Sequence, residues 1–178
     1  MSPRHSLRWW TSGNLDAPHL LILHGGPGGR SSVQHRTLTD PSRWHITQFD
    51  QRGCGESEPR GCCHDNGMDQ TVLDIERLRE HLGVTSWAVL GPSWGSTVAL
   101  AYAARFPGVV DALVLTGLFI GTRADKSFLR EGFGAPPRPG DASRNCSTPR
   151  RGVMSPPRTG RGSTTRSIRS MSLRYTDG

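Results

Sequence analysis

The chain has 178 residues and a formal net charge of +7, long enough for one domain with a buried core. It holds no apolar run long enough to span a membrane, and its start, Met1 to Trp10, is polar and basic where a secretory leader would be apolar. The expectation is a soluble cytoplasmic protein with no membrane partner. The charge could suit nucleic acid, but residues 1–131 hold 13 Lys+Arg against 13 Asp+Glu, while residues 132–178 hold nine Arg against two Asp. The excess belongs to the end of the chain, and no nucleic-acid motif or aromatic interleaving accompanies it. Cys54, Cys62, Cys63 and Cys146 show neither a disulfide framework nor a metal-ligand spacing.

In chain order, Leu20–Leu23 is a short apolar run that ends in a Gly/Pro turn. Trp44–Phe49 is a second run, closed by Asp50-Gln51-Arg52-Gly53. Val72, Ile75, Leu78 and Leu82 recur at helical spacing, with Asp69 as the expected N-cap and Gly83 as the stop. Trp87–Leu90 is a third apolar run. Ser96–Arg105, rich in Ala and Leu, reads as a second helix, and Ala112–Leu115 as a fourth strand. Continuous apolar runs closed by glycine fit strands buried on both faces of a parallel sheet. The alternation predicts a doubly wound α/β fold. Trp9, Trp10, Trp44 and Trp87 are expected to serve packing.

From residue 132 the pattern stops. Residues 133–178 hold nine Arg, seven Ser, six Pro, six Gly and five Thr, a composition that cannot bury enough surface to offset ordering entropy. Two segments are therefore expected, a partial domain over 1–131 and a disordered basic tail over 132–178. With 21 arginines and Lys126 as the sole lysine, the tail also reads as the product of a frame shift near residues 131–135.

The strongest motif is Gly91-Pro92-Ser93-Trp94-Gly95, between an apolar strand and an Ala-rich helix. That is the setting of a nucleophile elbow, where small neighbours let a serine sit on a sharp turn above a helix N-terminus. Pro92 is tolerable there and holds Gly91 extended. The second motif, His24-Gly25-Gly26-Pro27-Gly28-Gly29, follows the first apolar run. It is no phosphate loop, since no Gly-Lys-Ser/Thr follows. It can instead turn an N–H toward the serine, which assigns the oxyanion hole to the backbone of Gly26 and Trp94. His24 precedes the serine and reads as an orienting residue, together with Gly25. Asp50 and Arg52 read as a structural loop pair beside the site. Cys54 is expected to line the pocket.

HGGPG at His24–Gly28, DQRGCG at Asp50–Gly55 with Ser57, the run Asp74–Arg79, and Ser93-Trp94-Gly95-Ser96 together resemble the proline iminopeptidase (prolyl aminopeptidase) family of α/β-hydrolases. The resemblance runs from about Gly13 to Gly132. It implies an α/β-hydrolase fold with a truncated, mostly parallel sheet, and release of N-terminal proline from small peptides. Ser93 would act as the nucleophile that forms and discharges an acyl-enzyme, with no metal and no organic cofactor.

Family members carry a helical cap and later strands that bear the triad acid and histidine. Here His5, His19, His24, His35, His45, His64 and His81 all precede Ser93. The acids after it are Asp111, Asp125, Glu131, Asp141 and Asp177, and none closes an apolar strand. The triad acid and histidine are therefore not found, and activity of this chain is expected to be impaired or absent. An open sheet edge, an uncovered apolar face and poor solubility are expected with it. Another serine hydrolase of the same fold, an esterase or lactonase, is the alternative. A non-enzymatic nucleic-acid binder that uses the tail is a weaker one, and oligomeric state is not legible.

Overall fold

The computed structural model describes residues 5–123, residue 125 and, as a strand, residues 169–174. The expectations for Glu131, Asp141, Cys146, Asp177 and the proposed frame-shift point lie outside the described residues. The elements run β1 (Ser6–Gly13), β2 (His19–Leu23), α1 (Val33–Arg36), β3 (His45–Phe49), α2 (Met68–His81), β4 (Trp87–Pro92), α3 (Trp94–Arg105), a 3-10 turn (Pro107–Val109), β5 (Val110–Thr116) and β6 (Arg169–Arg174).

The strands form one sheet in the order β5-β4-β2-β3-β1-β6. β5, β4, β2 and β3 are parallel, while β1 is antiparallel to β3 and to β6. The winding reverses at β3: β2 to β3 steps toward one edge, and β3 to β4 to β5 steps back toward the other. Right-handed crossovers then put α2 and α3 on one face and the β2–β3 connection on the opposite one. The crevice between the carboxyl ends of β2 and β4 is the switch point, where open α/β sheets hold their sites.

Burial follows the pleat. Leu21 and Leu23 of β2 join Val89, Trp87, Ile75, Leu78, Val98 and Tyr102 in the core under the helices. Leu20 and Ile22 point the other way, with Ile46, Ala88 and Leu90. β4 is buried over Trp87–Gly91, and β5, its parallel neighbour, is exposed over Asp111–Val114.

Three sequence expectations change. β1 is an additional strand, in which Leu7, Trp9 and Thr11 alternate with Arg8 and Trp10 and supply the buried face. Its signal is a period of two in a segment dominated by polar and basic residues. Asp69 is not the cap of α2: Gly67 is the N-cap, and Asp69 lies in the first turn, where its charge faces the helix dipole favourably. The tail expectation changes only at Arg169–Arg174, which pairs with β1, Met171 opposite Trp9 and Leu173 opposite Leu7, while the rest of the tail lies outside the described residues. Met171 and Leu173 alternate with Ser170 and Ser172, a short strand pattern hidden by the surrounding Arg, Ser and Thr. Gly83, by contrast, ends α2 as expected, at φ +65. No helix among the described residues is long and apolar enough to cross a membrane.

Candidate active site

Ser93 is the residue on which β4 turns into α3. It is the N-cap of α3 at φ 54 and ψ −124, a conformation that costs a residue with a side chain roughly 1–3 kcal/mol. The surrounding backbone imposes it. A Cβ on Gly91 would collide with the Gly95 carbonyl oxygen, and one on Gly95 would sit 2.6 Å from the Leu23 carbonyl oxygen. Both glycines are therefore needed by backbone-to-backbone contact, and no rotamer change could relieve a substitution. The Ser93 N–H donates to the Thr116 carbonyl at 2.7 Å, and its carbonyl accepts from the Ser96 N–H at 2.8 Å and the Ser96 hydroxyl at 2.5 Å. The side chain is left exposed at the carboxyl end of the sheet.

The loop after β2 lies against it. A Cβ on Gly25 would stand 3.4 Å from the Ser93 Cβ and 3.9 Å from its Oγ, so this loop packs directly against the serine side chain. Gly26 and Gly28 have φ +129 and +87, and the Gly26–Pro27 bond is cis. The Trp94 N–H belongs to the first turn of α3, where no carbonyl one turn back is available to take it.

His24 does not face the serine as a base. Its Nδ1–H donates to the Gly25 carbonyl at 2.7 Å, and its Nε2 accepts from the Gln51 N–H at 3.0 Å. Both ring nitrogens are thus occupied, in a neutral tautomer set by the partners. Burial holds its pKa below the usual histidine range, against the opposing pull of the Gly25 carbonyl and of Asp50.

Gln51, not singled out in the sequence, ties the two motifs together. Its side-chain N–H donates to the His24 carbonyl at 3.0 Å, and its Oε1 accepts from the Trp94 indole N–H at 3.2 Å. It is buried. Its place inside Asp50–Gly55 is the only sequence signal, because a glutamine announces nothing until both partners are placed.

Asp50 and Arg52 take other partners than the expected pair. Asp50 accepts from the Ser31 N–H at 2.6 Å and from the Glu56 N–H at 2.8 Å, and so binds the loop after β2 to its own. A Cβ on Gly55, at φ +53, would collide with an Asp50 carboxylate oxygen, so a side chain there would be strained and would displace that carboxylate. Arg52 forms a two-pronged bond to Asp74 of α2, Nε to Oδ2 at 2.6 Å and Nη2 to Oδ1 at 2.9 Å. Side chains of opposite charge at alternate positions of one loop are not bound to meet, and here each finds a partner on another segment. Burial raises the Asp74 pKa, with Arg52 as the chief opposing influence.

The same helix carries a second network. Glu76 accepts from Arg79 at 2.6 and 3.0 Å and from the Tyr102 hydroxyl at 2.7 Å, which joins α2 to α3. The Arg79 bonds chiefly lower the Glu76 pKa. Burial chiefly raises that of Tyr102.

A cleft of about 490 Å³ opens beside the elbow, walled by Trp94, Gln51, Cys54, Cys62, Met68 and Pro27 among others. Cys54 lines it, as expected, and burial pushes its thiol pKa up. Of the acids after Ser93, Asp111 lies at the opening of β5, at the opposite end from Thr116, which pairs with Pro92. Asp125 accepts from the N–H of Thr122 at 3.0 Å. Asp111 is therefore at the wrong end of the strand to serve a base beside Ser93.

An elbow serine on a doubly wound sheet, backed by a glycine loop from the neighbouring strand, defines a class. The chain belongs to the α/β hydrolase fold family, whose model matches residues 18–135. Within it, the chain is similar to proline iminopeptidases. It is 44% identical over 135 residues to that of Arabidopsis thaliana, a match covering 76% of this chain and 36% of the relative. It is 43% identical over 134 residues to that of Neisseria gonorrhoeae, covering 75% of this chain and 43% of the relative. Among solved structures, a proline iminopeptidase-related protein from Thermus thermophilus superposes with a TM-score of 0.56 at 32% identity, over 65% of this chain and 43% of the other. The chain spans less than half the length of the curated relatives it matches.

Proposed function

We propose that this chain carries the nucleophile and oxyanion half of a serine aminopeptidase that releases N-terminal proline from small peptides. The observation that carries the reading is Ser93, held at φ 54 between Gly91 and Gly95 with Gly25 against its side chain, in a chain similar to proline iminopeptidases. Ser93 Oγ attacks the carbonyl of the terminal proline. The N–H groups of Gly26 and Trp94 receive the developing oxyanion, and the positive end of α3 adds to their field. Water then discharges the prolyl-enzyme. His24, Gly25, Asp50 and Arg52 support the site: His24 holds the loop through Gln51, and Asp50 and Arg52 anchor the adjoining loop to the chain around it. No metal and no cofactor enters this scheme.

All histidines of these 178 residues precede Ser93, and His24 has both nitrogens engaged. Turnover by this chain is therefore far below that of an enzyme with a complete triad, since loss of a triad member costs orders of magnitude in rate. The acylation half-reaction is the more sensitive test. The chain is mixed with proline p-nitrophenyl ester, whose good leaving group relaxes the need for a base, and examined by intact mass. One prolyl adduct, mapped to Ser93 and formed faster than the leucyl adduct, is the expected result. An adduct that persists in Ser93→Ala, or equal rates for prolyl and leucyl esters, would sink the reading. Efficient Ser93-dependent turnover of a proline arylamide would sink the claim of impairment alone.

A further inference from the structure

A second cleft, of about 860 Å³, adjoins the one beside the elbow and shares Gly28, Gly53 and Gly61 with it. Its walls are almost bare backbone, Gly28 and Gly29 after β2 and Gly53 and Gly55 after β3, and the charged side chains that line it are Arg30 and Arg60. Both arginines are exposed. Elsewhere the described arginines include several that are paired: Arg8 with Glu56, Arg52 and Arg77 with Asp74, Arg79 with Glu76, Arg105 with Asp69. Among the described residues Arg30 and Arg60 have no such carboxylate. The neighbouring acids do not neutralise the cleft. Asp50 is spent on the Ser31 and Glu56 N–H groups, and Glu56 faces Arg8.

We infer that this cleft is a subsite for the free C-terminal carboxylate of the peptide substrate, held by Arg30 and Arg60. The inference rests on the aminopeptidase reading above and extends it to substrate length. Two guanidinium groups lining one glycine-walled cleft suit a planar carboxylate, which accepts paired N–H donors. The cleft adjoins the one beside Trp94, and an extended peptide advances about 3.3–3.6 Å per residue, so a short peptide that starts at Ser93 brings its carboxylate toward it, while a long one carries no charge at that point.

The test is calorimetric titration of the full chain, at low salt because exposed charges are screened. The ligands are Pro-Gly-Gly-Gly as the free acid, its C-terminal amide, and the N-acetylated acid. The acid should bind roughly tenfold tighter than the amide. That preference should vanish in Arg30→Gln/Arg60→Gln, whose circular dichroism should match the parent because both side chains are exposed. Equal binding of acid and amide, a preference that survives in the double variant, or no binding of the acid would each overturn the subsite. Displacement of the acid by an equal concentration of inorganic phosphate would also overturn it, marking a general anion patch. If the acetylated acid binds as well as the free amine, still through the two arginines, the carboxylate subsite stands and the N-terminal proline reading falls.

Discussion

β4 and β5 are adjacent parallel strands built from the same kind of sequence, Trp87-Ala88-Val89-Leu90 and Ala112-Leu113-Val114-Leu115, and they meet opposite fates. Val89 is fully buried and its register partner Leu113 is 36% exposed. β4 has β2 on its other side, while β5 has no further strand there among the described residues. Burial is thus a property of the neighbours, and an apolar run in the sequence states only what a strand needs. The two strand ends differ in the same way. The glycines of the β4 turn are fixed by backbone contacts, whereas a Cβ on Gly117, after β5, would meet only the Ser93 nitrogen at 3.9 Å.

The largest effect should come from those glycines. Gly95→Ala should lose at least about 3 kcal/mol, because its Cβ collides with the Leu23 carbonyl and neither backbone can withdraw. Gly117→Ala should lose only about 1 kcal/mol, from its positive φ. Urea unfolding of the two variants makes the comparison, and equal losses would break it. Next, Val89→Ala should cost about 2 kcal/mol, and Leu113→Ala less than about 1 kcal/mol while lowering the chain's tendency to aggregate. A large cost at Leu113 would mean that its face is covered. Ser93→Gly should raise stability by about 1 kcal/mol, since glycine accepts φ 54 without strain. Destabilisation there would show that the turn is not strained in solution.

The smallest effect is one of pH. Burial lowers the pKa of His5, His19, His24 and His45 below 6.5, so the unfolded chain binds more protons than the folded one between the folded and unfolded values. Stability should be full above pH 6.5 and decline as pH falls through that value. His19 and His45 stack at 4.5 Å on β2 and β3, and protonation there sets two like charges side by side. Urea midpoints at about pH 7.5 and about pH 5.5 should differ in that sense, and by less in His45→Asn. A rise in stability on acidification would contradict the burial of these rings.

The polar skeleton of the site shows where reading a sequence ends. Ser93, Gly91 and Gly95 are legible because a sharp turn demands a particular residue type at each of them. Gln51, which bridges His24 and Trp94, is not, since its meaning depends on two partners from different strands. Asp50 and Arg52 looked like a pair because they are near in sequence, yet Arg52 reaches Asp74 on α2 and Asp50 caps loop amides. Charge partners are chosen by distance in space, and the packing of α2 sets that distance.

By itself the sequence determined the parallel strands, the two long helices, the elbow and the glycine loop, because periodicity and glycine placement are local consequences of chain geometry. It also determined that every histidine precedes Ser93. Only the tertiary structure decided that β1 and β6 extend the sheet antiparallel, that β5 is left exposed, that His24 is locked by its neighbours, and that Arg30 and Arg60 line one glycine-walled cleft. Each of those depends on contacts between segments far apart in the chain, which no local pattern encodes.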